Sequence, residues 1–247
     1  MVHVTTRIAR ADADDIAQLG QYTAATIHEA QGRRGAIHSS IKPIDPETSF
    51  VGSAFTVVCA PRDNLMLQIA IHFAQPGDVL IVSAGEYSEA GMFGDVLGNA
   101  CKAKGIAAMV TDAGVRDTRE LRELGLPVFS GSVSIKGTVK ETLGAINQPL
   151  VFGGELIHPG DVVKGDADGI VVVRREEVRE AAELSARRDA TEAGLIEKYW
   201  AGGTTIELCN LTEVLKAKGL TTDLDDEIEA VEAEAVSVVA ADLDAVR

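Results

Sequence analysis

The chain has 247 residues, 46% of them hydrophobic and 25% charged, ordinary values for a globular protein with a sizeable core. Lys and Arg number 23 against 38 Asp and Glu, a net charge of −15. Phosphate repels such a chain, so nucleic acid and anionic membrane surfaces are disfavoured as partners. A small anionic ligand would need a local cation, from a metal or an arginine.

The opening MVHVTTRIARADADD has no apolar signal core, and no uncharged apolar run is long enough to cross a bilayer. A cytoplasmic protein is expected. Cys59, Cys101 and Cys209 are widely spaced and form no CxxC pair. Reduced, buried or half-buried thiols are expected rather than a disulfide framework or a zinc site.

Helical spacing of Ile16, Leu19, Ala24, Ile27 and Ala30 predicts helix over 12–19 and 22–30, stopped by Gly32. Residues 33–50 read as irregular. FVGSAFTVVCA at 50–60 reads as a strand, and Asp63 or Asn64 caps a helix to Phe73. After the turn at 76–78, the apolar run 79–82 reads as a strand. The passage SAGEYSEAGMFG at 83–94 is glycine-rich, and a helix follows from Asp95 to Lys104. A strand over 106–110, a short helix from Asp117 to Leu124 and a strand over 128–130 come next. Residues 131–175 alternate short β runs with turns and end in a strand at 169–173. Glu176 to Trp200 reads as a long charged helix. The pattern predicts mixed α/β layers. One domain is expected over 1–219, with an acidic helical extension over 220–247.

A phosphate loop, a GxSxG elbow and HExxH are all absent, and the five histidines share no ligand spacing. One constellation remains. A glycine-rich loop enters a helix at Gly94-Asp95-Val96-Leu97, where free first-turn N–H groups and the helix dipole favour an anion. The strand at 106–110 leads into Arg116-Asp117, at the strand end where α/β folds place ligands. One helix and one strand separate Asp95 from Arg116-Asp117, so the Asp95 and Asp117 carboxylates can face one pocket. Asp117 could hold a hard divalent ion and Asp95 could act through water. Arg116 would offer a planar fork to a carboxylate or enolate oxygen. Plain capping fits the same residues: Asp117 with Glu120 resembles a capping box, and Asp95 suits a first helical turn. On spacing, both readings stand.

GDVLGNACKAKGIAAMVTDAGVRDTREL and the following LGLPVFSGSVSIKGTVKETLGAINQPLVFGGELIHPGDVVKGDADGIVVV resemble the RraA-like family. ATIHEAQGRRGAIHSSIKPI extends the likeness to about residues 15–218. Its specific element, Asp-x20-Arg-Asp, is met by Asp95, Arg116 and Asp117. The resemblance implies a swivelling α/β/β/α layered fold, assembled as a homotrimer or homohexamer with the site at a subunit interface. It implies a Mg²⁺-dependent (or Mn²⁺- or Co²⁺-dependent) aldolase of aromatic compound catabolism. Such an enzyme cleaves 4-hydroxy-4-methyl-2-oxoglutarate or 4-carboxy-4-hydroxy-2-oxoadipate to pyruvate and a keto acid, with oxaloacetate decarboxylation as a side activity. Asp117 would then bind the metal and Arg116 the keto or enolate oxygen. The N–H groups of Gly94 to Leu97 would hold the pyruvyl carboxylate, and Asp95 a water on the ion. Glu192, from the long helix of a neighbouring subunit, would complete the site; a solvated helix-face glutamate fits it equally. Lys136, Lys140 and Lys164 carry no mark of a Schiff-base lysine. Two other functions are implied: a non-enzymatic regulator that binds ribonuclease E or another protein, and a primary oxaloacetate decarboxylase. Asp95 favours the enzyme.

Overall fold

The computed structural model describes residues 4–85 and 89–221. The chain divides into two compact units, Met1–Asp189 and Ala190–Arg247. The first opens with α1 (Ala13–Leu19) and α2 (Ala24–Ala30), capped by the Asp12 and Thr23 side chains. It continues through β1 (Lys42–Pro43), β2 (Phe50–Val58), α3 (Leu65–Phe73), β3 (Asp78–Ser83), β4 (Gly91–Phe93), α4 (Asp95–Lys104), β5 (Ala108–Val115), α5 (Thr118–Leu124) and β6 (Val128–Val133). The strands β7 (Ala145–Ile146), β8 (Leu150–Phe152), β9 (Glu155–Ile157), β10 (Val162–Gly165) and β11 (Ile170–Val173) follow. The long helix α6 (Val178–Trp200) starts in the first unit and ends in the second, which also holds α7 (Thr205–Leu208) and α8 (Thr212–Ala217).

Among the described residues, β8 and β9 form a separate hairpin and nine strands form one sheet in the order β1-β6-β5-β3-β2-β10-β11, with β4 added to β5 and β7 to β2. The central pairs β2–β3, β3–β5 and β5–β6 are parallel, and β10 is antiparallel to both neighbours. Period-two alternation sorts the side chains between two cores. Phe55, Val57, Leu80, Val82 and Met109 pack with Met66, Leu67 and Ala70 of α3, Cys101 of α4 and Leu121 of α5. Ala54, Val79, Ile81, Ala108 and Val110 turn the other way, toward Phe152 and Ile157 of the hairpin. Cover on both faces explains why the middle strands read as unbroken apolar runs. A third cluster packs α1, α2 and the start of α6 on Val162, Val171 and Val173. The mixed α/β class with a long C-terminal helix is the expected one.

Two segments depart from the sequence reading. The strand expected over 106–110 runs over Ala108–Val115, with a register shift between Thr111 and Gly114. The glycine-rich passage, expected as loop, contains β4, which pairs parallel with the end of β5. Side-chain-free backbone makes this pairing: a Cβ on Gly91 would collide with the Ser134 carbonyl, and one on Gly114 would stand 2.8 Å from the Ala90 carbonyl oxygen.

Cys59 and Cys101 are buried, whereas Cys209, expected to be at least half-buried, is exposed. The short α7 it ends buries no residue. Past Thr221 the expected acidic extension lies outside the described residues. No helix among the described residues is long and apolar enough to cross a membrane.

Candidate functional site

β4 hands over to α4 at the level where β5 ends. The Arg116 N–H donates to the Phe93 carbonyl at 2.8 Å, which fixes Arg116 and Asp117 beside Gly94. Gly94 begins α4 without a side-chain cap. The N–H groups of Asp95, Val96 and Leu97 therefore have no intrahelical acceptor. Asp117 Oδ2 takes the first of them, accepting from Asp95 N at 3.1 Å. Val96 and Leu97 both line the adjoining cavity, at the helix end whose free N–H groups and dipole favour an anion.

Asp117 precedes α5 with φ 55° and ψ 41° and makes no side-chain cap to it. The carboxylate reaches across to α4 instead, so a capping box within α5 is not formed. Left-handed backbone costs a non-glycine residue about 1 kcal/mol, with Asp among the more tolerant types. Such a conformation persists where its surroundings hold it. Arg116 Nε stands 3.7 Å from Asp117 Oδ2, and both side chains are half-exposed. Gly94 makes room for them, since a Cβ there would collide with Asp117 Oδ2.

The N-terminal end of α3 supplies a wall that the sequence reading missed. Buried Asp63 caps α3 by accepting from Leu65 N at 2.9 Å, and also accepts from Glu141 N and Thr142 N at 2.9 and 2.7 Å. Burial would push its carboxyl up, but these donated hydrogen bonds outweigh it and hold the group below the usual range. The contact pins residues 137–142 against α3. Asn64 and Gln68 of that wall, with Thr138 and Lys140 of the pinned loop, join Arg116 and Asp117 around a cavity of about 310 Å³. That is within the usual size of small-molecule pockets, about 300–1,000 Å³. The Asp-Asn cap was legible in the sequence; that its helix borders the site was not, because about thirty residues separate it from Asp95.

Of the expected site residues, Gly94, Val96, Leu97, Arg116 and Asp117 line this cavity. The Asp95 side chain accepts from Asn99 Nδ2 at 2.7 Å while its N–H is engaged by Asp117. Glu192 is half-buried on α6, in the second unit. Among the lysines, Lys140 lines the cavity, Lys136 pairs with Glu89, and Lys164 is buried and donates to the Gly20 carbonyl at 3.0 Å. Burial lowers the Lys164 pKa. Among the described residues, no three His, Cys, Asp or Glu side chains group as a metal cage. The donors present suit a hard ion held by one or two carboxylates and completed by water and ligand oxygens, the usual habit of Mg²⁺.

A protein from Halalkalibacterium halodurans named "Putative 4-hydroxy-4-methyl-2-oxoglutarate aldolase" is 32% identical over 185 residues, covering 75% of this chain and 88% of that one. The crystal structure of an uncharacterised protein from Pseudomonas syringae matches with a TM-score of 0.70 and 26% identity, over 81% of this chain and 99% of the other. Streptomyces coelicolor RraAS2, described as an unusual member of the RNase ES inhibitor RraA family, matches with a TM-score of 0.68 and 30% identity, over 76% and 98% of the two chains. The Aldolase/RraA family model matches residues 12–172. With that match laid over the strands and helices that build the cavity, the chain belongs to the RraA-like family.

Proposed function

We propose that the protein is a divalent-metal-dependent aldolase that cleaves 4-hydroxy-2-oxo dicarboxylates, such as 4-hydroxy-4-methyl-2-oxoglutarate, to pyruvate and a second oxo acid. The observation that carries this is the convergence of Asp117, Arg116 and the first turn of α4 on one cavity. A hard cation at Asp117 supplies, when bound, a Lewis acid for the 2-oxo group. The chain's own groups then divide the work. The Val96 and Leu97 N–H groups hold the pyruvyl carboxylate at the positive end of α4. The Arg116 guanidinium donates to the 2-oxo oxygen and gains strength as that oxygen becomes an enolate. Lys140 gives a second carboxylate its cation. In the cleavage step the C4 hydroxyl loses its proton, the C3–C4 bond breaks, C4 becomes a carbonyl, and the bonding pair enters the enolate that is protonated to pyruvate. Asp95, whose N–H donates to Asp117, would order the water that receives the proton once its carboxylate leaves Asn99.

The same enolate follows loss of carbon dioxide from oxaloacetate, so decarboxylation is expected as a side activity. Val96 is 79% exposed beside the cavity, an apolar edge that suits cover by a second copy. In a trimer or hexamer, Glu192 of a neighbouring copy would join the site. The likeness to RraAS2 supports a second reading, a regulator that binds a ribonuclease; the acidic residue at Asp95 and the cavity at Arg116 and Asp117 favour the enzyme.

A lactate dehydrogenase-coupled assay with chelator-treated protein tests this. Pyruvate release should require added Mg²⁺ or Mn²⁺. Full-speed cleavage without metal would remove the metal mechanism. Release from oxaloacetate only would make the protein a decarboxylase, and no turnover with capture of ribonuclease E would make it a regulator.

A further inference from the structure

Two amides on α3 have an orientation that is fixed from inside the protein. Buried Asn64 donates through Nδ2 to the Met92 carbonyl of β4 at 3.0 Å. A carbonyl can only accept, so the Asn64 amide cannot be reversed without losing this bond. Asn64 Oδ1 is then the acceptor for Gln68 Nε2, at 3.1 Å. The polarity is passed on: the Gln68 nitrogen is turned to Asn64, and the free end of the amide is Oε1, an acceptor. Gln68 is half-buried and lines the same cavity as Arg116, Asp117 and Lys140.

The cavity thus combines three chemically different surfaces. Cationic and N–H groups suit carboxylates and the 2-oxo oxygen. The Gln68 carbonyl repels a carboxylate and suits a hydroxyl that donates. We propose that Gln68, oriented by Asn64, is a specificity-determining residue that accepts a hydrogen bond from the substrate hydroxyl at C4. It thereby favours 4-hydroxy-2-oxo acids over oxaloacetate, which has no hydroxyl there. This rests on the aldolase reading of the site. The hydroxyl has one proton, which Gln68 accepts as a hydrogen bond in the bound substrate and the water takes in the cleavage step, so Gln68 positions the C4 hydroxyl without itself removing the proton.

The test compares kcat/KM for 4-hydroxy-4-methyl-2-oxoglutarate and for oxaloacetate in wild type, Gln68→Met and Gln68→Glu. Methionine keeps the length and removes the acceptor. Loss of one neutral hydrogen bond should lower the ratio of kcat/KM for the hydroxy acid to kcat/KM for oxaloacetate by about 3- to 10-fold. Glutamate keeps an acceptor but cannot donate to Asn64 Oδ1, so its ratio between the two substrates should lie between those of Gln68→Met and wild type, with its charge slowing both. An equal fall for both substrates in Gln68→Met, or an unchanged ratio, would overturn the assignment while leaving the aldolase in place. A wild-type protein that cleaves neither substrate would remove both.

Discussion

The Asp117 carboxylate serves a helix other than its own: Oδ2 accepts the Asp95 N–H at 3.1 Å, at the first residue of α4, while Asp117 itself stands at the entry to α5 in left-handed backbone. One contact therefore ties the end of β5 to the start of α4 and sets the metal-ligand candidate beside the first-turn N–H groups of α4. The expected consequences can be measured residue by residue.

Asp117→Gly separates strain from chemistry. Glycine accepts φ 55° freely, so relief of about 1 kcal/mol of strain offsets much of the lost hydrogen bond. The melting temperature should stay near wild type while pyruvate release falls at least about 100-fold. Asp117→Ala should melt below Asp117→Gly, because alanine keeps the strain. The reverse order in a calorimetric scan would show that the backbone conformation is not strained.

Arg116→Ala should lower kcat about 100-fold, as for a group aimed at charge that develops in the transition state. Arg116→Lys should recover only part of this, because an ammonium cannot present a planar fork. Steady-state kinetics decide; a fully active lysine variant would reduce Arg116 to a point charge.

Gly94→Ala introduces a Cβ where Asp117 Oδ2 stands. Its φ of −160° is ordinary extended backbone, so the fold should survive and the site should not. The expected result is a melting temperature within a few degrees of wild type, with Mg²⁺ binding by calorimetry weakened about tenfold or more.

Asp63 links acid stability to the cavity wall. Its folded pKa is lowered, since hydrogen bonds from Leu65, Glu141 and Thr142 outweigh burial. Its stabilisation is therefore present above the unfolded value, about 3.9, and is lost as pH falls through the lower folded value. Asp63→Asn should be less stable than wild type at neutral pH, and denaturant melts should show the gap closing as pH falls below about 3.9. A gap that persists unchanged at low pH would assign the effect to shape rather than charge.

Burial pushes the thiols of Cys59 and Cys101 up to about 12, and Cys209 is exposed. At pH 8 a thiol reagent should label one cysteine quickly in the native protein and two more after unfolding. Three fast labels would contradict the buried placement.

Much of the architecture was present in local pattern. The helix Asp95–Lys104 was legible to the residue, because an acidic first turn, two lysines near its end and Gly105 in left-handed backbone mark its limits. Of Asp-x20-Arg-Asp, the Arg116 and Asp117 pair lines the cavity, whereas the Asp95 side chain turns to Asn99. The sequence by itself determined, then, most of the helices and the apolar strands and the charged pair Arg116-Asp117 at a strand end, since these follow from residue type and spacing. Tertiary structure decided the rest. β4 exists only because glycines let it approach β5, Asp117 caps α4 rather than α5 because the strand end delivers it there, and Asn64, Gln68 and Lys140 reach the cavity through contacts between segments far apart in the chain. Such contacts have no local periodicity to announce them; they are set by sheet order and by which backbone groups remain without partners once the strands have paired.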